Sequence, residues 1–219
     1  LREVQQYTGC KEGAAIHLMK RVPAAAGLGG GSADAAAMLL GLNKFWDLRL
    51  TMDELMTLGA KLGSDVPFLL RGGTARGTGR GEELIYHPSP EPHWLLLVKP
   101  EISVSTAAAY GRYKGQSNAT SDTISNVLHH LEQNDMYGAF TNSANTFEEL
   151  LFPDHDELIT CKEFFTSRGY PTIMTGSGPT MVVLLEKPAQ ALSLQEEIKN
   201  AGHNWLSLIT KTCTQEEVQ

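Results

Sequence analysis

The sequence predicts an α+β protein built from two domains. Its 219 residues are enough for one large or two modest domains, each with its own core. Three prolines between His87 and His93 mark the best candidate for a domain boundary. Beyond that boundary, strands and helices follow in the order β-α-β-β-α-β with extra helices, which is typical of a ferredoxin-like layer. The predicted domains are therefore residues 1–88 and residues 93–219.

The first domain alternates strand, loop and helix patterns. Residues 14–22 have the pattern of a strand, and Pro23 to Asn43 is a glycine-rich loop that turns directly into an alanine-rich helix. Thr51 and Glu54 form the signature of a capping box, which opens a helix that ends at Gly63. A glycine-dense segment then predicts a β-hairpin. The strands of this hairpin are predicted at residues 70–76 and 83–87.

In the second domain the pattern of apolar residues is regular enough to place every strand. The predicted strands are residues 94–98, 172–174, 181–185 and 206–212. The predicted helices are residues 105–113, 122–133, 146–151, 156–167 and 189–201. A glycine turn from Thr175 to Thr180 joins the second of these strands to the third.

Composition limits the classes of function. The chain has 25 acidic and 18 basic residues and a net charge of −7, which argues against a nucleic-acid-binding surface. No window approaches 18 consecutive apolar residues, so no membrane span is predicted. The three cysteines are odd in number and widely scattered, which indicates reduced thiols and neither a disulfide nor a metal site. We therefore expect a cytoplasmic protein.

The function depends above all on the glycine loop. Gly27, Gly29, Gly30 and Gly31 have no Cβ, so the backbone can adopt φ > 0 and bring N–H groups against a ligand. Ser32 stands where the N-cap of the following helix is expected. The start of a helix carries unpaired N–H donors and a partial positive charge, so a glycine loop at this place predicts a phosphate site. A tight turn packed through small residues is the alternative interpretation.

Three well-known phosphate loops do not fit this stretch. The P-loop requires a Lys directly after its last glycine, and none follows here. The dinucleotide fingerprint requires a strand that ends at the first glycine, whereas the predicted strand ends before Pro23. The protein-kinase motifs H-R-D and D-F-G do not occur. What remains, P-x-x-x-G-L-G-x-x-S, closely resembles the ATP loop of the GHMP family of small-molecule kinases (galactose, homoserine, mevalonate and phosphomevalonate kinases).

The resemblance implies ATP binding and the two-domain GHMP-kinase architecture. In that architecture a ferredoxin-like C-terminal domain follows an N-terminal α/β domain, which is expected to be truncated here. Family members carry, ahead of the position that matches Leu1, a segment with a Lys-containing motif that has no counterpart in this sequence. The resemblance also places Lys20 near the base, with solvated edge charge as the alternative. The residues implied in ATP binding are Lys20, Pro23, Ala24, Ala25, Ala26, Gly27, Leu28, Gly29, Gly30, Gly31 and Ser32.

A second stretch of interest runs from Gly63 to Phe68. Ser64 or Asp65 could simply cap a helix whose early position holds Pro67. Phosphoryl transfer to an alcohol also benefits from a carboxylate that accepts the hydroxyl proton or orients its oxygen. The resemblance assigns that catalytic role to Asp65, and the aspartate argues against a homoserine kinase. The local sequence leaves both interpretations open.

Two segments of the second domain resemble substrate-binding parts of the family. The Gly-Ser-Gly turn approaches the phosphate loop in the family and helps to close the site. Thr106 is either a helix cap or an active-site hydroxyl, and Tyr110 either packs or stacks on a pyrimidine base. The substrate-binding residues implied are Thr106, Tyr110, Gly176, Ser177 and Gly178. Residues 145–148 also match a family pattern, and we interpret them as structural.

Taken together, the motifs G-L-G-G-G-S, G-S-D-V-P-F and G-G-T-A-R-G-x-G-x-G-E most resemble family members that act on a cytidine-linked substrate. The resemblance implies transfer of the ATP γ-phosphate to a hydroxyl of 4-diphosphocytidyl-2-C-methyl-D-erythritol, in non-mevalonate isoprenoid precursor biosynthesis. Mg²⁺ would neutralise the phosphates. Another GHMP kinase, such as a mevalonate-type enzyme, is one alternative. The other is a nucleotide-binding fragment without catalysis, because the Lys-containing motif of the family has no counterpart.

Overall fold

A computed structural model describes residues 1–115 and 120–214, which form two compact units. The first unit contains residues 1–24 and 29–87. The second contains residues 25–28 and 88–214. Four residues of the glycine loop are therefore grouped with the second unit, although their neighbours on both sides in the sequence belong to the first. Within the described residues, no helix is both long and apolar enough to cross a membrane.

The first unit consists of four helices and a hairpin. The helices are α1 (Arg2–Thr8), α2 (Gly30–Phe45), α3 (Met52–Leu62) and α4 (Val66–Arg71). The strands are β1 (Thr74–Thr78) and β2 (Glu83–His87), which pair antiparallel with Thr74 opposite His87. The buried residues of the helical core are Val4, Ala36, Leu39, Leu42, Leu55, Leu58, Val66 and Leu70.

Local signals account for the start of α3. The Thr51 hydroxyl accepts a hydrogen bond from the Glu54 N–H, and the Glu54 carboxylate accepts one from the Thr51 N–H at 2.8 Å, so the predicted capping box is confirmed. The helix ends before Gly63, as predicted. Leu55 and Leu58 are buried, whereas Leu62, the last residue of α3, is 46% exposed.

Three predictions for the first unit are wrong. Residues 14–22 form no strand, because no strand of the described residues pairs with them and extended backbone needs such a neighbour. The predicted strand 70–76 begins only at Thr74, since Leu70 and Arg71 complete α4. Ser32 is not an N-cap, because α2 already begins at Gly30 with the left-handed Gly29 before it.

In its described residues, the second unit combines a four-stranded sheet with six α-helices and a short 3₁₀ helix at Phe152–Asp154. Its strands are β3 (Trp94–Lys99), β4 (Thr172–Met174), β5 (Met181–Leu185) and β6 (Leu206–Lys211). Its helices are α5 (Thr106–Arg112), α6 (Ser121–Glu132), α7 (Met136–Thr141), α8 (Thr146–Leu151), α9 (Asp156–Thr166) and α10 (Pro188–Asn200). The sheet order is β4-β5-β3-β6 and all neighbours are antiparallel, as expected for a ferredoxin-like layer.

Both faces of this sheet are covered. Leu96 and Val183 point to a large core that includes Leu158 of α9, Leu194 of α10 and the fully buried ring of Phe165. The opposite face buries Leu95 and Leu184 together with Met136 of α7. The alternation of successive strand residues between two covered faces explains why the central strands β3 and β5 are almost entirely apolar.

Two details of the second unit differ from prediction. Helix α7 was not predicted, because six residues that include a glycine are too few to show a helical period. Thr106 is not the cap of α5, since the Ser105 hydroxyl accepts the bond from the Ala108 N–H and Thr106 is the first helical residue. The Thr106 hydroxyl is thereby left to bond elsewhere.

Candidate nucleotide and substrate site

The backbone of the glycine loop alternates in handedness. Ala25, Gly27 and Gly29 have φ values of 50°, 70° and 63°, whereas the residues between them are not left-handed. Such alternation turns successive N–H groups toward one concave side, which is an anion-binding geometry. Helix α2 follows directly in the sequence, and the N–H groups of the first turn of this 16-residue helix have no intrahelical partners. The loop therefore has the form of a phosphate cradle.

Within the second unit, Gly27 lies directly against the Gly-Ser-Gly turn. A Cβ at Gly27 would overlap the Thr175 carbonyl oxygen and would lie 2.9 Å from the Gly178 nitrogen. A Cβ at Gly176 would likewise lie 2.9 Å from the Gly27 oxygen, which also accepts a hydrogen bond of 3.3 Å from the Thr175 hydroxyl. Close approach of two backbones thus requires glycine on both sides. A substrate-binding role for the turn stays a prediction.

Within the first unit, the start of α2 and the loop before α4 are neighbours. The Ser32 hydroxyl lies 3.7 Å from the position that a Cβ of Gly63 would occupy. Asp65 is exposed at the N-cap position of α4, yet its side chain makes no capping bond with any described residue. The tip of the β1–β2 hairpin is also close, since a Cβ at Gly81 would lie 4.0 Å from that of Ser64. An exposed carboxylate without a structural partner is available for chemistry.

Lys20 approaches the start of α2 as well. Its ammonium group forms an ion pair with Asp34 of α2, and both side chains are partly exposed. The same nitrogen lies 3.5 Å from the position that a Cβ of Gly30 would occupy. Lys20 is therefore beside the first turn of the helix. Contact of Lys20 with the base stays a prediction.

The two candidate substrate residues of α5 lie in the second unit. The Thr106 hydroxyl is 3.0 Å from the Ser177 hydroxyl, which ties α5 to the Gly-Ser-Gly turn. The Tyr110 ring is 59% exposed and meets the Phe147 ring edge to face, with centroids 4.9 Å apart. Tyr110 thus both packs and retains open ring surface, and the two interpretations from the sequence are compatible.

Residues 145–148 match a family pattern in the sequence and were interpreted there as structural. The structure places the Asn145 side-chain amide on the carbonyl oxygen of Gly176, at 2.9 Å. Asn145 and Phe147 also line a groove of about 580 Å³ that extends along Thr175. The N-T-F-E pattern was visible in the sequence, but the neighbouring residues gave no indication of the distant segment with which its side chains form hydrogen bonds.

The side chains of the described residues also bear on Mg²⁺ binding. In the part of the chain that the structure describes, no group of three or more His, Cys, Asp or Glu side chains could hold a metal ion. Mg²⁺ commonly uses only one or two protein groups and takes its other ligands from phosphates and water. Ser32, in the first turn of α2, and Asp65, in the adjacent loop before α4, fit that limited role.

The matches between this chain and known proteins agree with one another. The sequence family described as "GHMP kinases N terminal domain" matches residues 1–73. The chain is 42% identical over 190 residues to the 4-diphosphocytidyl-2-C-methyl-D-erythritol kinase of Exiguobacterium sibiricum, covering 86% of this chain and 66% of that protein. The kinase of the same name from Bacillus cytotoxicus is 40% identical over 190 residues, with 86% and 65% coverage. The chain thus spans less than two thirds of the length of these relatives.

Solved structures agree with these sequence matches. A crystal structure of 4-(cytidine 5'-diphospho)-2C-methyl-D-erythritol kinase superposes with a TM-score of 0.76 at 28% identity, covering 97% of this chain and 77% of that one. Homoserine kinase from Cytophaga hutchinsonii superposes with a TM-score of 0.66 at 18% identity, covering 89% of this chain and 68% of that one. The second match shows a shared fold.

Proposed function

Because this chain belongs to the GHMP kinase family, we propose that it transfers the γ-phosphate of ATP to a hydroxyl of 4-diphosphocytidyl-2-C-methyl-D-erythritol. The observation that carries the proposal is the cradle of alternating handedness from Ala25 to Gly29, which leads into the start of α2. The names of the relatives at 40% identity and above support the choice of substrate. The reaction supplies phosphorylated precursors for non-mevalonate isoprenoid biosynthesis.

ATP is held by its phosphates in this proposal. The N–H groups from Leu28 to Ser32 donate to the β- and γ-phosphates, and the positive end of α2 stabilises their charge. Lys20 is close enough to the first helical turn to add a positive charge there. Mg²⁺, when bound with ATP, neutralises charge on the transferring phosphoryl group. Preorganised donors of this kind stabilise developing charge without reorganisation during the reaction.

Asp65 acts on the acceptor hydroxyl. Its carboxylate accepts the hydroxyl proton or orients the oxygen for attack on the γ-phosphorus. Two facts support the assignment. The side chain makes no capping bond with the described residues, and its loop adjoins Ser32 at the start of the phosphate-binding helix. A carboxylate beside phosphates is electrostatically unfavourable, so its position there is explained by a role in the reaction.

Recognition of the cytidine end falls to the second unit. The open face of Tyr110 stacks on the cytosine, and Thr106 with Gly176, Ser177 and Gly178 contacts the remainder of the substrate. The partner is therefore a small molecule, and the net charge of −7 makes nucleic acid an unsuitable one. The three cysteines are unpaired, which fits catalysis in the reducing cytoplasm.

A coupled ADP-release assay tests the proposal. The chain is supplied with Mg²⁺-ATP and, in turn, with the cytidine substrate, mevalonate or homoserine. Release of ADP that depends on the cytidine substrate supports the proposal. Turnover of mevalonate alone identifies a mevalonate-type kinase instead. ATP binding without turnover of any of the three identifies a nucleotide-binding chain without catalysis.

A further inference from the structure

We propose that residues 145–148, at the start of α8, are a positioning anchor for both substrates of the proposed kinase. Asn145 and Glu148 fix the turn that contacts the phosphate loop, and Phe147 fixes the ring that stacks on cytosine. The inference rests on the proposed function, because it assigns the loop to ATP and the ring to the cytidine end. All the contacts involved lie within the second unit.

The Asn145 side chain holds the turn through its amide nitrogen and caps α8 through its amide oxygen. The amide nitrogen donates to the Met174 oxygen at 2.6 Å and to the Gly176 oxygen at 2.9 Å. The amide oxygen accepts from the Phe147 N–H at 2.9 Å and so caps α8. Two donors of one planar group on carbonyls either side of Thr175 leave that segment little freedom.

Glu148 holds the same end of the turn, through the N–H of Met174. One carboxylate oxygen accepts a hydrogen bond of 2.7 Å from the Met174 N–H, while the other pairs with Lys162. The Glu148 side chain is only 13% exposed, so this charge is both paired and largely shielded from water. Both backbone groups of Met174 are therefore bound by side chains from the start of α8. Buried charge-assisted bonds are the stronger kind.

The turn is in close backbone contact with the phosphate loop, so a shift of the turn affects the loop directly. Gly176 and Gly27 are so close that a single added Cβ on either side would have no room. The Thr175 hydroxyl adds a direct bond to the Gly27 oxygen. A shift of the turn must therefore either move Gly27 or break its contacts, and Gly27 is one of the left-handed residues of the cradle.

Phe147 supports the second substrate. Its ring packs edge to face on Tyr110, an arrangement that fixes the Tyr110 ring plane while leaving much of the ring exposed. The Thr106–Ser177 hydroxyl pair joins the same helix to the same turn. One short segment thus controls both the phosphate loop and the stacking ring.

The variant Asn145→Asp separates anchoring from capping. Aspartate caps a helix as well as asparagine does, but it cannot donate to the Met174 and Gly176 oxygens. We expect the KM for ATP to rise on the order of tenfold, with a smaller effect on the KM for the cytidine substrate. Phe147→Leu should do the reverse and raise the KM for the cytidine substrate. Unchanged KM for ATP in Asn145→Asp would show that Asn145 is only a cap and would overturn the inference.

Asn142→Ala is the matched control. Its amide donates to the Gly138 oxygen at 2.8 Å, so the substitution also removes an amide–carbonyl bond of the second unit, but away from the turn. Both KM values should stay at the level of the parent chain. Should Asn145→Asp fail to fold, Asn145→Ser replaces it, since serine also caps and cannot span two carbonyls. An unchanged KM in that variant would equally overturn the inference.

Direct measurement of ATP binding distinguishes a failure of the proposed function from a failure of the anchor alone. ATP affinity of the parent chain, measured by calorimetry, tests the proposed function by itself. If the parent binds no ATP, the proposed function and the inference that rests on it fail together. If the parent binds ATP and Asn145→Asp binds it equally well, only the anchor is refuted. Weaker ATP binding by Asn145→Asp, with normal binding by Asn142→Ala, supports the anchor.

Discussion

A pair of glycines on one helix offers a direct test of the phosphate cradle. Gly31 lies in the first turn of α2 and Gly41 near its last turn, and both are exposed. Apart from the adjacent residues and the backbone of α2 itself, no atom of the described residues lies within 4 Å of the Cβ that either glycine would gain. Gly30 is a poorer probe, because its Cβ would lie 3.2 Å from a methyl group of Val22. We therefore compare Gly31→Val with Gly41→Val.

The stability of both variants should be nearly that of the parent. Valine is a better helix former than glycine by a few tenths of a kcal/mol, which corresponds to about 1 °C in Tm for a chain of this size. ATP affinity should separate them. At Gly31 the isopropyl group covers N–H donors of the first turn, and a lost bond to a charged phosphate is worth about 1.5–3 kcal/mol, or roughly 10- to 100-fold in Kd. At Gly41 the group is far from the helix start, so Kd should not change.

The measurements are thermal unfolding followed by circular dichroism and ATP binding by calorimetry. A normal Kd for Gly31→Val would refute the argument, since the cradle predicts that a side chain there blocks the phosphates. Equal loss of affinity in Gly31→Val and Gly41→Val would also refute it, because the effect would then come from α2 as a whole.

Four further predictions concern single side chains. Asp65→Asn should lower kcat about 10²- to 10⁴-fold in the coupled assay with little change in Tm. The control Asp53→Asn removes an exposed carboxylate from the first turn of α3 and should leave kcat unchanged. A lower Tm with a normal kcat in Asp65→Asn would show that Asp65 is a helix cap. Tyr110→Ala should raise the KM for the cytidine substrate about 5- to 100-fold and spare the KM for ATP, whereas equal effects on both would contradict stacking. Burial raises the pKa of the Cys161 thiol, so a chromogenic thiol reagent should modify Cys161 only after unfolding, whereas Cys213 is exposed and should react in the native protein. Reaction of all three thiols in the native protein would contradict the burial of Cys161. The Thr51 N–H and hydroxyl lower the pKa of Glu54 from 4.5, so the contribution of Glu54 to stability is present above that pH and is lost as the pH falls through the lowered pKa. The free energy of unfolding of Glu54→Gln, measured in urea, should therefore depend less on pH in this acidic range than that of the parent chain. An unchanged pH dependence would contradict the prediction.

Most of the fold could be predicted from the sequence because its signals are local. The capping box at Thr51 depends on side chains three residues apart, and strands 172–174 and 181–185 are apolar runs bounded by turn residues. Both the α+β class and the resemblance to the GHMP kinases are confirmed. Residues 14–22 show the limit of local reasoning, because a strand pattern becomes a strand only when a neighbour supplies hydrogen bonds.

The candidate site was less predictable, since its contacts join distant parts of the sequence. Nothing near Gly27 indicates that its oxygen will meet the Thr175 hydroxyl. Nothing near Asn145 indicates that its amide will hold Met174 and Gly176. Ala25 is left-handed without being glycine, so composition alone would not reveal the alternation of the loop. The roles of these residues in binding and catalysis stay predictions.

The grouping of Ala25–Leu28 with the second unit has a consequence for dissecting the protein. Cutting the chain at the proline-rich stretch near Pro88 would separate most of the two units but would leave residues 25–28, which belong to the second unit, on the first fragment. A fragment that starts there would lose Gly27, leave the Thr175 hydroxyl without that bond and uncover the glycine face of the turn. A fused or added peptide carrying residues 25–28 should restore those contacts, so this half of the molecule is best studied as two pieces of chain.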